Sequence, residues 1–345
     1  MRLALAGALV SGLLAAGAPA PAGADATHRI LAFDELRGWA DDDHAAALAA
    51  FLETCPDLED AEWKALCALA AQAPSARPFF ELLFRPVLIG GEATALFTGY
   101  FEPELDGSRQ PSDRFRYPLY KMPGELTPGA AWLSRAEIET GSALSGRGLE
   151  IAWVDDPVEL FFLQIQGSGR IRLAEGGVVR VGYGGANGHP YRSIGAELVR
   201  QGVLAAHQAS ADVIRNWVRR NPAAGEALLR HNPSYVFFRE ITGVPPDRGP
   251  LGAMNRSITP LRTVAVDPAY VPLGAPVWIE KAGTEPLHRL MIAQDTGAAI
   301  KGAQRADIFF GTGDLAGFRA GRTKDAGRLV VLLPIAKAYA LAPGG

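Results

Sequence analysis

Clustered metal ligands are absent from this chain. Its six histidines (His28, His44, His189, His207, His231 and His288) are scattered, never forming His-Glu-x-x-His, and only two cysteines are present. That spacing gives no expected metal site, and no cofactor is expected either. A nucleophile elbow, Gly-x-Ser-x-Gly, is also missing, because Gly167-Ser168-Gly169 has the wrong spacing. Neither that cluster nor Gly182-Tyr183-Gly184-Gly185 leads into Lys-Ser/Thr or completes a strand-Gly-x-Gly-x-x-Gly-helix unit, which argues against a nucleotide loop. Charge of one sign is lacking too. With 34 Lys+Arg against 37 Asp+Glu, a formal net charge of -3 offers no basic surplus for nucleic acid, and a neutral partner suits it better.

No segment after the N-terminus approaches the roughly 20 apolar residues of a membrane-spanning helix. The N-terminus itself carries Arg2, an apolar run from Leu3 to about Ala16, and small residues at Ala18, Ala20, Ala22 and Ala24. This is the layout of a secretory signal peptide over residues 1–24, with cleavage before Asp25. The remaining length exceeds what one core usually serves, so two domains, or one with a large insertion, are expected. In an exported chain Cys55 and Cys67 can oxidise, and a short αα-hairpin could bring them together. The alternative is two small apolar core residues. A monomer is expected, since the pattern suggests no exposed apolar interface.

Residues 32–85 read as helical, with Asp41-Asp42-Asp43 capping an alanine-rich run and Pro78 in a first turn that tolerates it. Helices are expected over about 42–54 and 58–71. From Val87 to Tyr100 the residues favour strand, and Phe101-Glu102-Pro103 opens a stretch through Tyr117-Pro118 that looks like a crossover. The middle mixes short strands (150–154, 169–173, 178–183) with three helices between Ser193 and Leu229. The last hundred residues show strands at 263–266, 276–280, 289–293, 307–310 and 328–333, with little helical periodicity. Short strands at this spacing suggest a closed or partly closed β-barrel.

With metal, nucleotide and serine chemistry disfavoured, carboxylates remain. Asp267, Asp295 and Asp307 each fall at an expected strand end or turn and could share one cleft. A turn-forming aspartate that bonds its own backbone is the ordinary reading of each. Asp307 fits it least, because it precedes Ile308-Phe309-Phe310, where a carboxylate is costly unless paired or protonated. An unperturbed aspartic acid is protonated in about one molecule per thousand at pH 7; raising its pKa to about 6 gives about a tenth and costs about 3 kcal/mol. Phe97 to Phe101, Gln164 to Gly169 and Tyr183 to Gly188 combine rings, neutral amides and glycine, which suits sugar rings in a groove.

Several segments together resemble the membrane-bound lytic murein transglycosylase A family. They are Thr98-Gly99-Tyr100-Phe101-x-Pro103, Phe162 to Gly169, Asn187-Gly188-x-Pro190-Tyr191, Asn232 to Phe238, Val266-Asp267-x-x-x-x-Pro272-Leu273-Gly274, and Gln294-Asp295-Thr296-Gly297-x-Ala299-Ile300-Lys301-Gly302 leading to Asp307. The resemblance implies a mainly β protein with a helical N-terminal part. A double-psi β-barrel would comprise residues 25–103 and 241–345, with a smaller β-rich domain inserted at 104–240.

It further implies a lytic transglycosylase that cuts peptidoglycan between N-acetylmuramic acid and N-acetylglucosamine and leaves 1,6-anhydro ends, probing strands from an end. Asp307 would be the catalytic acid, supported by Asp295 and Asp267, with Thr98, Tyr100, Gln166, Ser168 and Lys301 touching glycan. A hydrolytic glycosidase and a noncatalytic, expansin-like wall-binding protein are the alternatives. Two departures stand out: Ala298 replaces a usual glycine, and the signal region has no cysteine for a lipid anchor. The expected location is therefore the periplasm, with association to the outer membrane or wall through the substrate. Other cell wall enzymes are candidate partners.

Overall fold

The computed structural model describes residues 27–342 except Glu92, Pro128, Pro246 and Ala298. The signal segment and the glycine replacement at Ala298 lie outside the described residues. In chain order the elements are β1 (His28–Ile30), α1 (His44–Thr54), α2 (Ala61–Ala70), α3 (Ala76–Leu83), β2 (Phe84–Ile89), β3 (Ala95–Glu102), β4 (Glu104–Ser108), β5 (Tyr117–Tyr120), α4 (Arg135–Thr140) and β6 (Glu150–Val154). There follow α5 (Pro157–Gln166), β7 (Gly169–Leu173), β8 (Val178–Ala186), α6 (Ile194–Arg200), α7 (Ala211–Arg220), α8 (Pro222–His231) and β9 (Val236–Ile241). The last part holds β10 (Thr263–Val266), β11 (Pro276–Lys281), β12 (Leu287–Thr296), β13 (Arg305–Thr312), α9 (Asp314–Arg322), β14 (Lys324–Pro334) and α10 (Ile335–Leu341).

Two sheets organise the molecule. In the first, β14, β11, β12, β10, β13 and β3 follow one another, and β3 pairs back onto β14, so six strands close into a barrel with β2 and β1 added beyond β14. Closure removes free strand edges. Its lumen is filled by Val264, Val266, Val277, Ala293, Ala306, Ile308 and Val331, which the pairing register places on one face and which are all fully buried. The second sheet runs β5-β6-β4-β7-β8-β9 and curls toward closure through a bridge between Lys121 and Phe238. All of its strands come from the chain between β3 and β10, so the chain leaves the barrel after Glu102 and returns after Ile241.

The N-terminal helices form for local reasons. Asp43 caps α1 by accepting from Ala46 N at 3.1 Å, and Asp60 caps α2 by accepting from Glu62 N and Trp63 N. Their apolar faces converge on one aromatic cluster, Phe51, Trp63, Phe79, Phe80 and Phe84, which sits against the barrel core. Asp42 is not part of the cap: it accepts from both Nη atoms of buried Arg262 and from Leu290 N, tying the helices to the barrel. Cys55 and Cys67 are disulfide-bonded between α1 and α2.

Four expectations differ from what is observed. Residues 87–100 form parts of two strands joined by a turn at Gly90-Gly91, where positive φ is required, instead of one strand. The supposed crossover at 101–118 contributes β4 and β5 to the second sheet. Gln164 and Gln166 lie on α5, a further helix between the expected strands at 150–154 and 169–173, whose end is set by Gly167 at φ 77°. The last hundred residues also contain α9 and α10.

Candidate active site

Four neighbouring barrel strands build the site. The register of β12, β10, β13 and β3 places Asp295, Ala265, Asp307 and Thr98 in one row. Residues in one row project from the same face, and strands lie about 4.8 Å apart, so the two aspartates stand about two strand spacings from each other. Ala265 contributes only a methyl between them. On β13 the alternation puts Ala306 and Ile308 into the sealed lumen, and this turns Asp307 outward, where it stays partly exposed.

The hydrogen bonds around Asp307 have a determined direction. Arg305 Nη2 lies 2.8 Å from Thr98 Oγ1, and Thr98 Oγ1 lies 2.5 Å from Asp307 Oδ1. A guanidinium only donates, so Thr98 accepts from Arg305, and its own hydrogen is left to go to the Asp307 carboxylate. Oδ1 is thus fixed as an acceptor, and among the described residues no other hydrogen bond reaches the carboxyl. A proton on this acid sits on Oδ2. Burial pushes Asp307 up to about 6, against the Thr98 hydrogen bond and the Arg305 charge, with the Asp295 charge adding to the rise.

Asp295 is held differently. Its Oδ2 accepts from Tyr100 Oη at 2.9 Å, and its Oδ1 accepts from Ala253 N and Thr296 N, each at 2.9 Å. Burial raises its pKa, and these three donors oppose the rise. Burial and the adjacent Asp295 push the Tyr100 hydroxyl well above its usual range, so it remains a neutral donor, with its ring 5.2 Å from that of Phe309. Asp267 follows β10. Burial would raise it, but the N–H groups of Gly302 and Ala269 together with Lys301 outweigh that and leave it lowered and charged.

Of the residues singled out in the sequence, Thr98 with Asp307 and Tyr100 with Asp295 form two hydrogen-bonded pairs that the strand register places side by side. Lys301 is exposed and its Nζ is 3.7 Å from Asp267, so these two form a separate pair beside the row. Gln166, at the end of α5, accepts from Phe101 N at 3.1 Å and therefore meets β3 from the second-sheet side. Ser168 is partly buried between Gly167 and Gly169, just before β7. Asn187 is structural: fully buried, it donates to Leu133 O and Pro233 O and accepts from Tyr235 N. Arg305 was overlooked, although its spacing in Arg305-Ala306-Asp307 places it on the acid's own strand face. Among the described residues no helix is long and apolar enough to cross a membrane.

A closed barrel that presents two partly buried aspartates, with a second sheet inserted between its strands, defines the architectural class. Within that class, residues 96–239 match the model of the MltA specific insert domain and residues 262–333 that of the 3D domain. The chain is 34% identical over 251 residues to membrane-bound lytic murein transglycosylase A of Vibrio cholerae, spanning 69% of this chain and 65% of that one. It superposes on the crystal structure of MltA from Neisseria gonorrhoeae with a TM-score of 0.79 and 34% identity, covering 92% of this chain and 97% of that chain. For E. coli MltA with bound chitohexaose the TM-score is 0.71 and the identity 30%, covering 85% and 89%. The chain belongs to the membrane-bound lytic murein transglycosylase A family.

Proposed function

We propose that this protein is a peptidoglycan lytic transglycosylase in which Asp307 is first the general acid and then the general base. The observation that carries this reading is the asymmetric environment of Asp307: partly buried, raised to about 6, held through Oδ1 by Thr98, and free at Oδ2. A proton on Oδ2 passes to the glycosidic oxygen as the bond from C1 of N-acetylmuramic acid breaks through an oxocarbenium-like state. The leaving N-acetylglucosamine takes that proton on O4. The Asp307 carboxylate then accepts the proton of the muramyl C6 hydroxyl while O6 bonds C1 of its own ring, giving a 1,6-anhydro end and restoring the acid. Intramolecular attack has an effective molarity of up to about 10⁵ M in favourable cases, so neither water nor a nucleophilic carboxylate is required.

Asp295 supports this division of labour. With Oδ1 holding two backbone N–H groups and Oδ2 holding Tyr100, it is built as a fixed charge beside Asp307 rather than a base aimed at water. Asp267 and Lys301 shape the adjoining loop, and Gln166 and Ser168 belong to the facing wall. We assign the barrel (25–103 and 241–345) to catalysis and the inserted sheet (104–240) to covering the glycan, with cutting that proceeds from strand ends. The bound chitohexaose of the E. coli relative is a β-1,4 amino-sugar oligomer and supports a groove of this kind. The protein would act in the periplasm, held at the wall by its substrate, as a monomer.

The test is mass spectrometry of muropeptides released from purified peptidoglycan by residues 25–345 and by the Asp307→Ala variant. Anhydromuropeptides from the first and none from the second are expected. Reducing-end products would make it a hydrolase, and release of nothing by either would favour a wall-binding module.

A further inference from the structure

Beyond the acid row, β3 carries a third outward-facing residue, Glu102, two positions past Tyr100 and four past Thr98. It is 1% exposed and sits where the two sheets meet. Its Oε2 accepts from Arg170 Nε at 2.9 Å and from Thr312 Oγ1 at 2.7 Å, and its Oε1 accepts from Arg180 Nη2 at 3.1 Å. Arg170 and Arg180 belong to β7 and β8 of the second sheet, whereas Thr312 belongs to β13 of the barrel. The same arginines hold the returning chain: Arg180 donates to Pro245 O and Arg248 O, and Arg170 donates to Arg248 O at 3.0 Å. Arg170 N also donates to Pro103 O on the outgoing chain. Both covalent crossings between the sheets are therefore tied at one buried carboxylate.

A buried charge cluster of this kind adds little net stability compared with an apolar packing of equal volume, because desolvation cancels most of the attraction. What it does supply is a unique geometry, since three donors converge on one carboxylate and no sliding arrangement satisfies them all. We propose that Glu102, clamped by Arg170 and Arg180, is a positioning residue that sets the angle of the inserted sheet to the barrel and hence the width of the groove above Asp307. The reference is internal, because alternate residues of one strand hold the acid (Thr98), its partner acid (Tyr100) and the facing sheet (Glu102). The claim about the groove rests on the glycan reading given above; the claim about the angle does not.

The native cysteines are bonded to each other, so spin labels on Leu82→Cys and Val178→Cys, exposed positions beside the barrel and on the second sheet, report the angle directly. In Glu102→Gln, which keeps the shape and removes the charge, the inter-label distance distribution should broaden or shift, and Glu102→Asp should restore part of it. Turnover of glycan should then show KM raised about fivefold or more with kcat altered less than about threefold, the signature of lost binding geometry. An unchanged distance distribution with only a lower melting temperature would make Glu102 a stability element and overturn the proposal. If distances change and no glycan is cut by the parent protein, the clamp stands and the glycan reading falls. If Glu102→Gln does not fold, Thr312→Val removes one donor only and is read by the same two criteria.

Discussion

In the proposed mechanism Thr98 is the residue on which Asp307 depends most directly, because one hydroxyl both accepts from Arg305 and donates to the acid. That hydrogen bond favours the charged carboxylate and opposes the rise caused by burial. Thr98→Val keeps the branched shape and deletes the donor, so the pKa of Asp307 should climb above about 6 and the alkaline limb of the pH–rate profile should move to higher pH. Turnover should fall by about 10-fold to 100-fold through lost orientation of Oδ2. A limb that stayed in place or moved to lower pH would show that Thr98 does not control this acid. Tyr100→Phe acts one step further out. It leaves Asp295 with its two backbone donors only, and the pKa of Asp295 should rise, readable as a shifted carboxyl resonance in ¹³C-labelled protein; no shift would mean that the Tyr100 hydroxyl is not donating to it.

Elements hold these residues where they are, and α9 packs closely against β3. A Cβ on Gly99 would stand 2.6 Å from the Phe310 ring and 2.7 Å from the Ala320 backbone, so Gly99→Ala must push α9 away from the strand that carries Thr98 and Tyr100. Overpacking of this sort costs about 1–3 kcal/mol. A lowered melting temperature together with reduced turnover is expected, and an unaffected melting temperature would refute the contact. The same contact explains why α9 escaped the sequence reading. Its nine residues, Asp314 to Arg322, include Gly317 and Gly321, and Gly317 is demanded by Phe101, whose ring a Cβ would meet at 2.7 Å. Packing overrides the poor helix propensity of glycine here. Strands with plain alternation or β-branched runs, such as β6, β7 and β10, were legible, as was the helical N-terminus from its capping aspartates. Asp307 was legible for a physical reason as well, since an acid before Ile308-Phe309-Phe310 invites desolvation. Glu102 was not: its partners lie 68 and 78 residues later, and no local pattern announces a pairing at that separation.

For the molecule as a whole, an acid held above its normal pKa exchanges stability for readiness to donate. The unfolded chain releases the Asp307 proton near the ordinary aspartate value of 3.8, whereas the folded chain keeps it to about 6. Between those values the native state binds more protons than the unfolded state, so this group's contribution to stability falls as pH rises from about 4 to about 6 and stays low above that. The full difference is on the order of 3 kcal/mol at about 1.4 kcal/mol per unit, less whatever water relieves at a side chain that remains partly exposed. Asp307→Asn removes the charge while keeping the volume, and Thr98 can still donate to its side-chain oxygen. The variant should therefore be more stable than the parent at pH 7 to 8, by about 1–3 kcal/mol in denaturant titrations, and the advantage should vanish near pH 4, where the parent acid is already neutral. An advantage that did not depend on pH would mean that desolvation of this carboxylate is not the source, and the mechanism would lose the protonated acid on which its first step depends.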